Sequence, residues 1–306
     1  MLTIFLMTVT LAATPGIEEL ERAPVEPVKL SQADLEKAQS YLTRMWETLD
    51  SLQTGDVTVT EKEAIAGQDN TYHFREWFSH PQDLVRYDVM RSRRPNRTSF
   101  VRTAEERLLV FWSQRDSPTT VVRLPREGPL SYDRTDPVDF RTLGVANGPI
   151  YRSRLPLAWI QERVKLNGPK TTGTLSVIDE STEPYIDLIW VGESSQKFKT
   201  LLRLDASQGY TPILRVHVRS DGKQYHLKSH SETTWEKKNK TWIPVRVHIE
   251  NINLTFSHDL KLDWKSVNEK LPPHTFTMEG LELPKGTTIT NEKTKGQSFH
   301  EGTVGD

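Results

Sequence analysis

Between residues 198 and 264, apolar side chains fall on alternate positions through five consecutive runs: 198–205, 213–220, 224–236, 242–250 and 252–264. Phe198, Leu202 and Leu204 mark the first; Leu214, Val216 and Val218 the second; Tyr225, Leu227 and Trp235 the third. Val245, Val247 and Ile249 follow, then Ile252, Leu254 and Phe256. Successive strand side chains point to opposite faces, so this period of two predicts a sheet with one apolar and one wet face. Short links, Ser207-Gln208-Gly209, Ser220-Asp221-Gly222 and Lys238-Asn239-Lys240, make the neighbours antiparallel hairpins.

The same alternation predicts strands at 56–66, 71–79, 84–90, 99–103, 107–113 and 119–124. Further strands are expected at 172–179, 185–192 and 276–283. Ser31 reads as the cap of a helix reaching about residue 49, with Asp34 three positions on. Leu35, Ala38, Leu42, Met45, Trp46 and Leu49 share one face of it, a stripe that packs on a sheet or lids a cavity. A shorter helix is expected at 155–164, with Pro156 in its first turn. The fold class is mainly β with a few helices (α+β): a curved antiparallel sheet or half-open β-barrel covered by helices. Residues 125–150, rich in Pro, Gly and Asp, read as a functional loop or insertion.

The chain divides into a signal peptide at 1–13, a linker at 14–30, a single domain at 31–289 and a flexible tail at 290–306. The apolar run 2–13 is shorter than the ~20 residues a bilayer span takes, and it stops at Thr14-Pro15-Gly16. It reads as a signal core cut near Ala12 or Ala13, although no Lys or Arg precedes it; a buried first strand is the other reading. The expectation is a periplasmic or secreted protein whose mature chain has no transmembrane span.

Charge and cysteine narrow the function. With 40 basic and 41 acidic residues the formal charge is −1, which gives no electrostatic ground for a nucleic-acid partner. The basic cluster at 91–97 reads as a solvated hairpin tip, since Pro95-Asn96 is turn chemistry and no aromatic platform is visible beside it. There are no cysteines, so disulfides, thiolate metal sites and cysteine nucleophiles are excluded.

His226, His230 and Glu232 share a parity, with His217 one strand before and His248 and Glu250 one strand after. Such convergence suits a zinc or iron site. The same parity carries Arg215, Arg219, Lys228 and Arg246, which suits cross-strand ion pairing instead. His226, His230 and His248 are therefore the weak metal candidates, and no cofactor is expected. No G-x-S-x-G, H-E-x-x-H, P-loop or G-x-G-x-x-G occurs, and no carboxylate pair stands out, so no catalytic residue is assigned. The 8 tryptophans are spread over nearly every element, as in a filled β core or an apolar cavity. The residues expected to line such a cavity are Trp46, Phe74, Val216, Tyr225, Leu227, Val247 and Phe256.

The tract Leu204-Asp205-Ala206-Ser207-Gln208-Gly209-Tyr210, with Thr241-Trp242-Ile243-Pro244 and the ending Leu283-Pro284-Lys285-Gly286-Thr287, resembles an exported bacterial branch of the LolA/LppX-like lipoprotein carriers. The order of elements, helix then long antiparallel run then short helix then meander, is similar too. The resemblance implies a half-open barrel around helices with an apolar cavity for acyl chains. It implies a carrier of an acyl chain, lipid or lipoprotein, with a possible envelope protein partner. The alternatives are a non-catalytic envelope scaffold or interaction module with a filled core, and then a metal-dependent hydrolase.

Overall fold

The computed structural model describes residues 20, 26–65, 67–91, 97–112, 119–126, 137–145, 157–164, 173–180, 184–192, 198–252, 255–294 and 297–303. The segment 1–13 and much of 125–150 lie outside them. Helix α1 is Gln32–Asp50, and the Ser31 hydroxyl accepts from the Asp34 N–H at 3.1 Å, closing one of the first-turn donors. Its buried stripe is Ala38, Leu42, Met45 and Leu49. Helix α2 is Leu157–Arg163. Among the described residues no helix is long and apolar enough to cross a membrane.

The strands are β1 Thr54–Ile65, β2 Gln68–Ser79, β3 Leu84–Arg91, β4 Arg97–Arg102, β5 Glu106–Phe111, β6 Thr120–Pro125, β7 Thr174–Asp179 and β8 Tyr185–Val191. They continue as β9 Phe198–Asp205, β10 Thr211–Ser220, β11 Tyr225–Lys238, β12 Thr241–Asn251, β13 Phe256–Val267, β14 Thr288–Thr294 and β15 Gln297–Thr303. All fifteen belong to one open sheet, ordered 15-14-6-5-4-3-2-1-13-12-11-10-9-8-7. Every neighbouring pair is antiparallel except β6 with β14, which run parallel where an all-antiparallel sheet was expected. Two long ladders, β1 on β2 and β1 on β13, join the first half of the chain to the second.

The end of the chain departs from the sequence reading. Residues 276–283 form no strand but a loop with one 3-10 turn, Glu279–Leu281. Their alternating Phe276, Met278, Leu281 and Leu283 pack instead beside Val101, Leu108, Val110 and Val121. The backbone there lies so close to itself that a Cβ at Gly280 would meet the His274 carbonyl oxygen at 1.9 Å. The stretch expected to fray, from Thr290, carries β14 and β15. These strands are polar, so they gave no alternation to read.

The single apolar face is also corrected. Register places Arg215 opposite Leu202 and Ser231, and Ser231 opposite Ile249. That face carries the α1 stripe, Leu188, Leu202 and Leu204, and continues into Val57, Phe74, Val247, Leu260 and Trp264. Val216 faces the other way, opposite Leu201 and His230, with Ile189, Leu214, Val218 and Leu20. We call these the helix face and the far face. Strands β8–β10 are thus apolar on both, whereas on β1, β12 and β13 the far face is polar, with Thr60, Lys62, Arg246, Asp259 and Lys261. Two irregularities, at His217/Val218 and at Thr234/Trp235, shift the pairing of β11 with its neighbours along the strands. An extra residue in one strand turns all that follows to the opposite side. Leu20, expected in a loose linker, is 1% exposed, and its carbonyl accepts from the buried Lys199 Nζ at 2.6 Å.

Candidate functional site

On the helix face, Val145, Val164, Trp190, Thr200, Leu202 and Arg215 enclose a cavity of about 20 Å³. Two donors on its lining residues, Arg215 Nε and Trp190 Nε1, are buried without a hydrogen-bond partner among the described residues. Arg215 keeps some solvent-exposed surface, but its Nε has none to speak of, and its Nη1 donates to the Val145 carbonyl. Burial pulls the Arg215 pKa down to about 10, with no carboxylate near enough to oppose it. Two positions along β10, His217 Nδ1 meets Thr200 Oγ1 at 2.9 Å. Burial, then the charges of Arg215, Arg219 and Lys228, lower the His217 pKa to about 4. The cavity is therefore an apolar hollow with one uncompensated cation and two unused N–H groups. Each unmade hydrogen bond in such a place costs roughly 1–3 kcal/mol.

The described part of the long loop, 137–145, lies across the helix face. Phe140 is fully buried, edge-on to Trp264 at 5.5 Å and tilted against Phe78 at 5.9 Å between ring centres. Asp139 ties the neighbourhood together: its carboxylate accepts from Arg141 Nε and Nη2, both at 2.9 Å, and from the Leu157 N–H at 3.0 Å, at the start of α2. Arg141 Nη1 reaches Asp50 at the end of α1, at 2.7 Å. Burial alone would raise the Asp139 carboxyl; the Arg141 bonds and charge outweigh it and hold it below the usual carboxylate range. His80, 3.8 Å from Asp139, is pushed down to about 4, mainly by burial. No strand pairs with 137–145 among the described residues. Its attachments include the Val138 N–H on Glu76 Oε2 at 3.0 Å and the Val145 carbonyl on Arg215.

The residues expected to line one cavity fall into three groups. Phe74, Val247 and Phe256 pack together on the helix face. Trp46 is half-buried beside the α1 stripe. Val216, Tyr225 and Leu227 lie on the far face with Leu20. Arg215 and Trp190 were missed as a pair because Arg215 sits among cations that read as a wet face.

The histidines separate as well. His226 pairs with Arg219 in register and bonds Asp221 in the turn at 2.8 Å. His230 and His248 meet on the far face, ring centres 5.7 Å apart, beside Glu250. A second group is buried on the helix face: His258 Nδ1 meets Glu61 Oε1 at 2.7 Å, and its Nε2 lies 3.7 Å from Glu63 Oε1. Tyr72 also donates to Glu63 at 3.1 Å, while His258 Nε2 is left without a hydrogen-bond partner among the described residues; the sequence did not single out this cluster of acid, base and phenol.

On the far face of β2–β5, Arg97 stacks on Trp112 at 4.1 Å, and Arg75 and Arg86 on Trp77 at 4.4 and 4.7 Å. The basic cluster does have aromatic neighbours, although 92–96 lie outside the described residues. Asp56 and Asp88 pair with these arginines at 2.6–3.1 Å, so the open groove of about 460 Å³ there is lined by satisfied ions.

No family model matches the chain, and no curated protein does. Among solved structures it is similar to a DUF1329 family protein from Desulfovibrio piger, at 10% identity over 81% of this chain and 98% of that one, with a TM-score of 0.47. It is also similar to a LolA superfamily protein from Nitrosomonas europaea, at 18% identity over 79% and 98%, TM-score 0.41. A third is a putative outer membrane lipoprotein-sorting protein domain from Vibrio parahaemolyticus, at 12% identity over 81% and 97%, TM-score 0.40.

Proposed function

We propose that this protein holds an amphipathic ligand, an apolar chain ending in an anionic carboxylate or phosphate, on the helix face of its sheet. In line with the sequence expectation, it acts as an exported, non-catalytic binding or carrier protein in the cell envelope. One observation carries the reading: two buried donors without acceptors, Arg215 Nε and Trp190 Nε1, line the same apolar cavity. A cation taken from water without a partner costs several kcal/mol, and an anionic oxygen placed between these groups would recover much of that. The hollow of about 20 Å³ takes one oxygen or one water, not a chain. The chain itself would lie where Val145 and the rest of 137–145 now cover the sheet. That segment would lift without breaking any strand ladder of the described residues, at the cost of the Phe140 packing and of the bonds from Val138 N–H to Glu76 and from Arg215 to the Val145 carbonyl.

A fluorescent fatty acid and its methyl ester, titrated into the full chain, test this. Saturable binding of the acid, with the ester at least about tenfold weaker, is the expected result. A second reading is a filled core in an interaction module, favoured by Phe140 wedged between Phe78 and Trp264. It predicts uptake of neither probe.

A further inference from the structure

We propose that His230, His248 and Glu250 form a three-ligand site for a divalent cation of the zinc class on the far face of the sheet. The site is independent of the cavity, which opens on the opposite face. Register sets it up: His230 stands opposite Glu250 across β11 and β12, and His248 stands opposite Glu232 one step along. One ligand atom from each of His230, His248 and Glu250 lies within 4.8 Å of the others.

His230 shows that something is missing. Its side chain is 9% exposed, and Nδ1 has no hydrogen-bond partner although it points at Glu250 Oε2, 3.5 Å away. That gap is too wide for an N–H···O bond. It is the spacing of two ligands on one tetrahedral ion, whose bonds to nitrogen and oxygen are about 2.0–2.2 Å each. His248 and Glu250 are half-buried, so small side-chain turns bring them in, and the outward position stays open to water. Two imidazoles and a carboxylate are donors that suit zinc or iron(II) rather than magnesium or calcium.

Of the cations that weighed against such a site in the sequence, Arg246 remains on the far face and two others do not. Arg215 and Arg219 share the parity of the helix face. Arg246 is engaged by Asp259, at 2.8 and 3.1 Å. Glu232 lies near His230 and adds negative charge around the position an ion would take, whereas the charge of Asp259 is balanced by Arg246.

The test is calorimetric titration of zinc into the full chain after chelator treatment and its removal, repeated with cobalt(II) to read the ligand field from the visible spectrum. One zinc per chain and an intense tetrahedral cobalt spectrum are expected. His248→Ala and Glu250→Gln alter half-buried positions that leave the core intact, and each should weaken zinc at least about tenfold. His226→Ala, at the start of β11 beyond the irregularity, should leave the affinity unchanged. Absence of saturable zinc binding in the wild type overturns the proposal. So does full affinity in both His248→Ala and Glu250→Gln, or a loss with His226→Ala equal to theirs.

Discussion

The two flanks of the sheet differ in how many of their faces are dry. Across β1–β3 and β12–β13, the helix face is packed with Val57, Phe74, Phe78, Val247 and Trp264, while the far face carries charges. Across β8–β10, both faces are apolar, with Leu188, Leu202 and Leu204 on one and Ile189, Leu201 and Val216 on the other. One-sided burial leaves a clean alternation in the sequence; two-sided burial leaves a continuous run such as Leu188–Val191, in which parity says nothing about direction. Arg215, whose Nε is buried without an acceptor among the described residues, lies in the two-sided flank.

The largest effect that separates the flanks should come from Phe140→Ala. It empties the contact with Phe78 and Trp264 in the one-sided flank and should cost about 3–5 kcal/mol in urea unfolding. A cost below about 1 kcal/mol would mean that 137–145 does not hold that flank together.

Acid comes next, and it probes one histidine in each flank. His80 and His217 have folded-state pKa values near 4, against about 6.5 when unfolded. Between these values the unfolded chain binds the protons that the folded one refuses. Stability is therefore present above pH 6.5 and is lost as pH falls toward 4, by at most about 3 kcal/mol for each histidine. The double variant His80→Gln and His217→Gln should flatten the stability curve in that window; an unchanged slope would show the two rings to be hydrated.

The smallest effect addresses the far face directly. Val216→Ala should cost about 1–2 kcal/mol, because Val216 is buried there with Ile189 and Leu201. Lys261→Ala, on the far face of the other flank and exposed, should stay within about 0.5 kcal/mol. Equal effects would remove the distinction between the flanks.

What the sequence could and could not show follows from the same contrast. Thirteen of the strands were legible from alternation, and the Ser31 cap from its side chain. The side on which each strand was greasy was not, because the irregularities at His217/Val218 and Thr234/Trp235 have no residue signature. One extra residue in β11 moved His226 away from His230, while the unbroken pairing of Arg215 with Ser231 and Ser231 with Ile249 sets Arg215 on the face opposite to Glu250. The last strands stayed hidden for a different reason: β14 is held by a parallel ladder to β6, not by an apolar face of its own.

Native mass spectrometry of the full chain recovered from the cells that make it, wild type beside Arg215→Met, is the most direct test of the ligand reading. Removing a buried, uncompensated cation should leave stability equal or higher, so a loss of ligand would not be a loss of fold. The wild type should carry an additional mass matching an anionic lipid or fatty acid, and the variant should be empty. A wild type that is repeatedly bare, or a variant that carries the same mass to the same extent, would contradict the account.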